Sequence, residues 1–175
     1  RVILRGLGVV AAAAALTACS STNEAVNQAL IEGAVGGIVA ADCKIGRMTY
    51  WAANATVPVY EISFRIVMTN VSSKPVTLSG DNFATTLDGT PIPPFNFSAR
   101  DVGDADIWRT YDSLTIRPGE ERSIALAYEI SQPTYDSWYK SSRTVAVSFT
   151  CGNQRVTYTK NSRSDEITVS DIETL

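Results

Sequence analysis

Hydrophobic and polar residues alternate with a period of two along most of the chain from Cys43 onward. Ile62, Phe64, Ile66 and Met68 alternate with Ser63, Arg65 and Val67, the pattern of a strand with one face in a core. Val76 and Leu78 repeat it, and Leu114 and Ile116 lead into another short strand. Ile124, Leu126, Tyr128 and Ile130 predict a further strand, as do Val145, Val147, Phe149 and Cys151, with Arg155 to Tyr158 returning as a hairpin partner. Turn signals fall between these runs: Asn70 to Pro75, Asp88-Gly89, a loop with Pro91, Pro93 and Pro94, and Pro118-Gly119. Roughly six to eight short strands joined by turns predict a mainly β chain with one antiparallel β-sandwich over residues 43–160. Residues 161–175 are rich in Ser and Asp and read as a polar tail or an edge strand.

The first 42 residues have a different texture. Gly6 to Leu16 is an apolar run of roughly 11 residues behind Arg1 and Arg5, too short to span a bilayer but the length of a signal-peptide core. Ser21-Thr22-Asn23-Glu24 fits a capping box, and Ala25 to Ala41 reads as an Ala-rich helix with Val26 and Leu30 on one side. Gly33, Gly36 and Gly37 weaken that helix, each by roughly 1 kcal/mol against alanine, while the Gly33…Gly37 spacing suits close helix approach. Asn27, Gln28 and Glu32 exclude deep membrane insertion. The segment is left between a surface or partner contact and a helix or linker belonging to its own domain.

Leu16-Thr17-Ala18-Cys19 ends the apolar run, and small residues ahead of a cysteine there resemble the lipobox of bacterial lipoproteins. The resemblance implies a signal peptide over 1–18, a Cys19 thiol that receives diacylglycerol, and a lipidated tether and helix over 19–42. Two or more acyl chains make such an anchor durable, since each buried CH₂ contributes about 0.8 kcal/mol. Ser20 after the cysteine implies the outer membrane in a Gram-negative source. In a Gram-positive one the anchor would sit on the outer face of the cell membrane.

A second resemblance rests on the order of landmarks in the β region. A strand ending in Asn70 is followed by Pro75-Val76-Thr77-Leu78, Asp81-Asn82-Phe83, Leu87-Asp88-Gly89 and then Arg117-Pro118-Gly119-Glu120. Over about Val57 to Thr150 this resembles the immunoglobulin-like domain of uncharacterised function found in secreted bacterial lipoproteins and some mycobacterial secreted antigens. That family implies a fold and a location. It brings no shared catalytic residues.

Composition narrows the chemistry. The 175 residues include 15 Lys and Arg against 18 Asp and Glu, a net charge of −3, and no histidine. The absent histidines exclude Ser-His-Asp and Cys-His catalysis and His-ligated zinc, and the acidic balance without a basic stretch argues against nucleic acid as a partner. With Cys19 lipidated, Cys43 and Cys151 remain. An exported domain with two cysteines predicts one disulfide, closing a loop of about 109 residues and contributing on the order of 4–5 kcal/mol.

Four clusters could carry a site. Asp101, Asp104, Asp106 and Asp112 crowd one loop and supply hard oxygen ligands, but the EF-hand spacing and its terminal Glu are missing, so a solvated acidic loop is expected and no metal is assigned. Trp108 and Tyr111 flank that loop, and Tyr135, Trp138 and Tyr139 form a second aromatic group. These five rings are the possible ligand surface, for stacking on a sugar or meeting a partner, and the competing role is plugging the ends of the sandwich. Ser137-Trp138-Tyr139-Lys140 matches SxxK, without the SDN and KTG motifs that accompany it in penicillin-recognising enzymes. The expectation is therefore a non-enzymatic, cofactor-free protein, tied to a membrane through the lipid on Cys19, whose sandwich binds another envelope protein. The alternative is a module for cell-wall glycan or a metal ion.

Overall fold

Alternation along the chain becomes two facing sheets in the computed structural model, which describes residues 33–94, 96–103 and 107–175. In chain order the strands are β1 (Ile38–Tyr50), β2 (Val59–Asn70), β3 (Val76–Ser79), β4 (Phe83–Leu87), β5 (Thr90–Ile92), β6 (Asn96–Asp101), β7 (Arg109–Thr110), β8 (Ser113–Ile116), β9 (Glu121–Glu129), β10 (Thr144–Cys151), β11 (Gln154–Asn161), β12 (Ile167–Val169) and β13 (Glu173–Thr174). A short helix, α1 (Gln132–Asp136), follows β9; Ser131 caps it and Pro133 lies in its first turn.

The first sheet runs β1-β2-β9-β6-β7 and the second β12-β11-β10-β4-β5, with β13 also on β11; β3 and β8 pair apart from both. Every pairing between these strands is antiparallel. One buried cluster joins Ile62, Phe64, Ile66 and Met68 of the first sheet to Phe83, Val145, Val147, Phe149 and Tyr158 of the second. Phe64 touches both Phe83 and Tyr158, with ring centroids 6.0 and 5.8 Å apart, so aromatic pairs bridge the layers. The chain is an antiparallel β-sandwich. Asp88 and Gly89, at φ 51° and 81°, form the two-residue turn between β4 and β5 that their sequence announced. The end segment supplies edge strands β12 and β13.

The predicted helix over Ala25–Ala41 is corrected where it can be seen; residues 25–32 lie outside the described ones. Gly36 and Gly37 sit at φ 57° and 83°, and Val35 and Ile38 exchange both backbone hydrogen bonds across them. That is a two-residue β-turn, which needs left-handed conformations at both central positions. The glycines serve this reversal, and β1 starts directly after it.

The 13-residue β1 is an edge strand of its sheet, and its sequence hides it. Its pairing with β2 shifts by one residue between Ala41 and Lys44. Ile38 and Ala40 face the core before this bulge, Cys43 and Ile45 after it, so the apolar period changes phase mid-strand.

The predicted disulfide is also corrected: Cys43 and Cys151 are free thiols. Cys151 packs against Gly36 at the start of β1, donating weakly to the Gly36 carbonyl at 3.7 Å, whereas Cys43 lies five residues beyond Ile38. At about 3.3 Å per residue the two are well over 10 Å apart, beyond the roughly 7 Å between Cα atoms that a disulfide tolerates. Burial pushes the Cys43 thiol up to about 12 and raises Cys151 as well, so both are protonated at neutral pH.

Asn70 explains why its neighbourhood is such a clear landmark. It is wholly buried at the end of β2. Its Nδ2 donates to the carbonyls of Lys74 (2.7 Å) and Ile116 (2.9 Å), and its Oδ1 accepts from Ser72 N (2.9 Å) and Ser72 Oγ (2.7 Å). Its backbone donates to the Glu120 carbonyl and accepts from Gly119 N–H. One residue thus ties β2, the following turn and β8 together through its side chain, and holds the Pro118-Gly119 turn through its backbone.

Candidate functional site

The outer face of the first sheet is unusually bare in its middle. Inward residues of β2 are large, but the outward ones are Ser63, Arg65 and Val67, and β9 contributes Ser123, Ala125 and Ala127. Gly46 of β1 and Ser98 of β6 continue the row, because Gly46 pairs with Ser63 and Ser98 with Ala125. Small side chains across four adjacent strands leave a trough, and longer ones stand around it.

Trp108 rises over this trough just before β7. Its ring lies 4.8 Å from the Arg100 guanidinium and 5.6 Å from that of Arg65, a cation–π arrangement that fixes all three. The group divides the trough into two grooves. One, of about 430 Å³, is lined by Asp42, Lys44, Arg65, Arg100 and Trp108, with Val102 and Gly103 on its rim and Ser123 on its floor. The other, of about 270 Å³, lies between Met48, Tyr50, Glu61, Asn96 and Trp108. Burial raises the Glu61 carboxyl, with the Arg65 charge opposing the rise.

The five aromatics named from the sequence fall in different places. Trp138 is 3% exposed and belongs to the core, so it cannot stack on a ligand, and that part of the expected surface is corrected. Tyr111 and Tyr135 are half-buried against the same core. Tyr139 is exposed, yet Arg47 lies over both it and Tyr135, 4.7 and 4.2 Å from the centroids, and donates to the Tyr135 carbonyl. Trp108 alone of the five reaches the grooves.

The other motifs do not assemble. Asp101 pairs with Arg122, which also holds Glu120 at 2.6 Å, and Asp104 and Asp106 lie outside the described residues. Among the described residues no three acidic or cysteine side chains come close enough to share a metal ion. Ser137 Oγ accepts from Arg143 at 3.1 Å and donates to the Thr134 carbonyl at 3.3 Å, so its hydroxyl is engaged by Arg143 and the helix backbone. Cys19 lies outside the described residues. Among those described, no helix is long and apolar enough to cross a membrane.

A second exposed group escaped the sequence reading. The β1–β2 connection carries Tyr50, Trp51 and Val57, exposed by 40%, 65% and 68%, at one end of the sandwich. Ile130 N–H donates to the Tyr60 carbonyl, which sets α1 and the following Tyr139 beside that end. The chain joins the sandwich at the other end of β1, where Val71 N–H donates to the Gly37 carbonyl and Gly36 N–H to Gln154 Oε1.

No protein-family profile and no curated protein matches the chain in sequence. Among solved structures it is similar to the yjhA protein of Bacillus subtilis, at 15% identity and a TM-score of 0.40 over 65% of this chain and 73% of that one. It is also similar to an uncharacterised β-sandwich protein of Clostridium difficile 630, at 14% identity and a TM-score of 0.42 over 71% and 83% of the two chains. A protein of Archaeoglobus fulgidus matches at 12% identity and a TM-score of 0.34 over 77% and 98%.

Proposed function

We propose that the chain is a lipid-anchored protein of the bacterial envelope whose immunoglobulin-like sandwich binds another envelope protein without catalysing a reaction. The observation that carries this reading is the exposed group of Tyr50, Trp51, Val57 and Tyr139 at the end of the sandwich away from where the chain joins it. Large apolar side chains gathered at one end mark a contact surface more often than isolated ones do. An acyl chain on Cys19 would hold the joining end toward the membrane and leave these residues facing the partner. These side chains are exposed in the isolated chain, as an anchor awaiting a protein pocket requires.

Two measurements test it. Radiolabelled palmitate should enter the wild-type chain and not the Cys19→Ala variant, on the outer membrane of a Gram-negative host or the cell membrane of a Gram-positive one. A photoreactive side chain at Trp51 should capture one protein in intact envelopes, and the same group at Lys74 should not. The purified pair should then lose at least tenfold in affinity with Trp51→Ser. Equal capture from both positions, or an unchanged affinity, would refute the docking end.

A further inference from the structure

Lys44 and Arg65 stand directly opposite one another on β1 and β2, and both are exposed. Like charges in that position repel across an antiparallel pair. Three other arginines meet acids: Arg122 meets Asp101 and Glu120, Arg143 meets Asp88, and Arg155 meets Glu173, while Glu61 and Glu129 are a second like-charged pair set opposite one another, on β2 and β9. Neither Lys44 nor Arg65 has an ion pair among the described residues. Trp108 draws Arg65 onto the wall of the groove, and a ring face attracts a cation without cancelling its charge. Lys44 and Arg65 therefore bring two cations to one groove of about 430 Å³ in a chain whose net charge is −3. Asp42 is the one acid among the described residues lining it, and Glu61 faces Arg65 from the neighbouring groove.

We infer that this groove binds a phosphate group, held between the Lys44 ammonium and the Arg65 guanidinium, with the Ser123 hydroxyl beneath as a further donor. A guanidinium offers paired N–H donors matched to phosphate oxygens, and an ammonium adds a compact charge from the opposite side. Two negative charges between Lys44 and Arg65 turn their repulsion into a clamp. Trp108 forms the apolar wall against which the rest of the ligand lies. Phosphate of this kind is carried by lipid headgroups and by small soluble esters, and the groove's chemistry is common to both. The site is on the sheet face and stands whether or not the aromatic end docks a protein.

The test uses the full chain reconstituted in phosphatidylcholine vesicles, with Trp108 fluorescence assigned by the Trp108→Phe variant. Glycerol 3-phosphate is titrated in one arm; in the other, phosphatidic acid replaces part of the phosphatidylcholine. A response to glycerol 3-phosphate assigns a soluble ester, and a response to phosphatidic acid alone assigns a headgroup. Either supports the site provided Arg65→Gln weakens the response at least tenfold, Lys44→Glu abolishes it and added NaCl reduces it. Thermal unfolding gives an independent reading: the bound phosphate should raise Tm of the wild type and not of Arg65→Gln. No response in either arm, an undiminished response in Arg65→Gln, or an equal rise in Tm of that variant with ligand would overturn the inference.

Discussion

Replacing Asn70 with alanine removes four hydrogen bonds from a side chain that has no exposed surface. The losses are unequal. The Ile116 carbonyl is buried and would be left without this donor, which costs about 1–3 kcal/mol. Ser72 and Lys74 lie in an outer turn where water replaces most of what they lose, and Ser72 Oγ keeps its 2.9 Å bond to the Lys74 carbonyl. Adding about 0.5 kcal/mol for each of those contacts gives a total near 3 kcal/mol, or a fall in Tm of about 10 °C for a domain of this size. Asn70→Asp sharpens the test. The carboxylate still accepts from Ser72 but turns an oxygen toward the Lys74 and Ile116 carbonyls, so at neutral pH it should be less stable than alanine. Burial and the two carbonyls raise that carboxyl's pKa in the folded state above its unfolded value. The folded state then binds the proton more tightly, and stability relative to wild type should rise as pH falls through the raised value, levelling off below the ordinary carboxylate range. Urea unfolding of the three proteins at several pH values decides it. A loss under 1 kcal/mol for alanine, or an aspartate variant that weakens against wild type on acidification, would refute the account of Asn70 as the tie between these turns.

Gly36→Ala should lose at least about 2 kcal/mol in urea unfolding, since the residue is left-handed and an added Cβ would lie 2.5 Å from Cys151 Sγ and 2.8 Å from the Cys151 carbonyl. Cys151→Ala should restore part of that loss, because it removes the sulfur and leaves the backbone overlap. In denaturant without reductant, Cys43 and Cys151 should both react with maleimide, while the native protein reacts slowly at neutral pH; a mass two daltons lower with no reaction would contradict the free thiols. The hydrogen bond from Arg143 and that from Thr144 N–H hold the Asp88 carboxyl below the ordinary range. Its stabilisation is present at neutral pH and lost as pH falls from the ordinary carboxylate range through that depressed value, so Asp88→Asn should flatten the acid limb of the stability curve.

Strands with unbroken alternation were legible from their residues alone: β2, β9 and β10 present one face of large apolar side chains and one of mostly small or polar ones. The Asn70, Asp88-Gly89 and Pro118-Gly119 turns were legible because their backbone geometry demands those residues. β1 was hidden by its bulge, which moves the core-facing set from Ile38 and Ala40 to Cys43 and Ile45. Gly36 and Gly37 sit in an Ala-rich stretch where their turn geometry leaves no periodic trace, so they read as flaws in a helix. The groove was illegible for a different reason. Lys44 and Arg65 meet across the β1–β2 pairing, and Arg100 shares their sheet face only because β9 inserts between β2 and β6, a neighbour relation set by long-range pairing. Trp108 and Trp138 look alike in sequence, but α1 carries Trp138 into the core while the start of β7 leaves Trp108 outside.

Crowding gives the bulge in β1 a further importance. An outer strand of 13 residues offers a row of unsatisfied amides and carbonyls along which a second copy could add in register. Wherever copies are concentrated, an uninterrupted outer strand would invite stacking into ribbons. The slip between Ala41 and Lys44 breaks that row into two short pieces that are out of phase, and the exposed Lys44 adds charge to the second piece. The irregularity that concealed the strand from its sequence also interrupts the row along which a second copy would add.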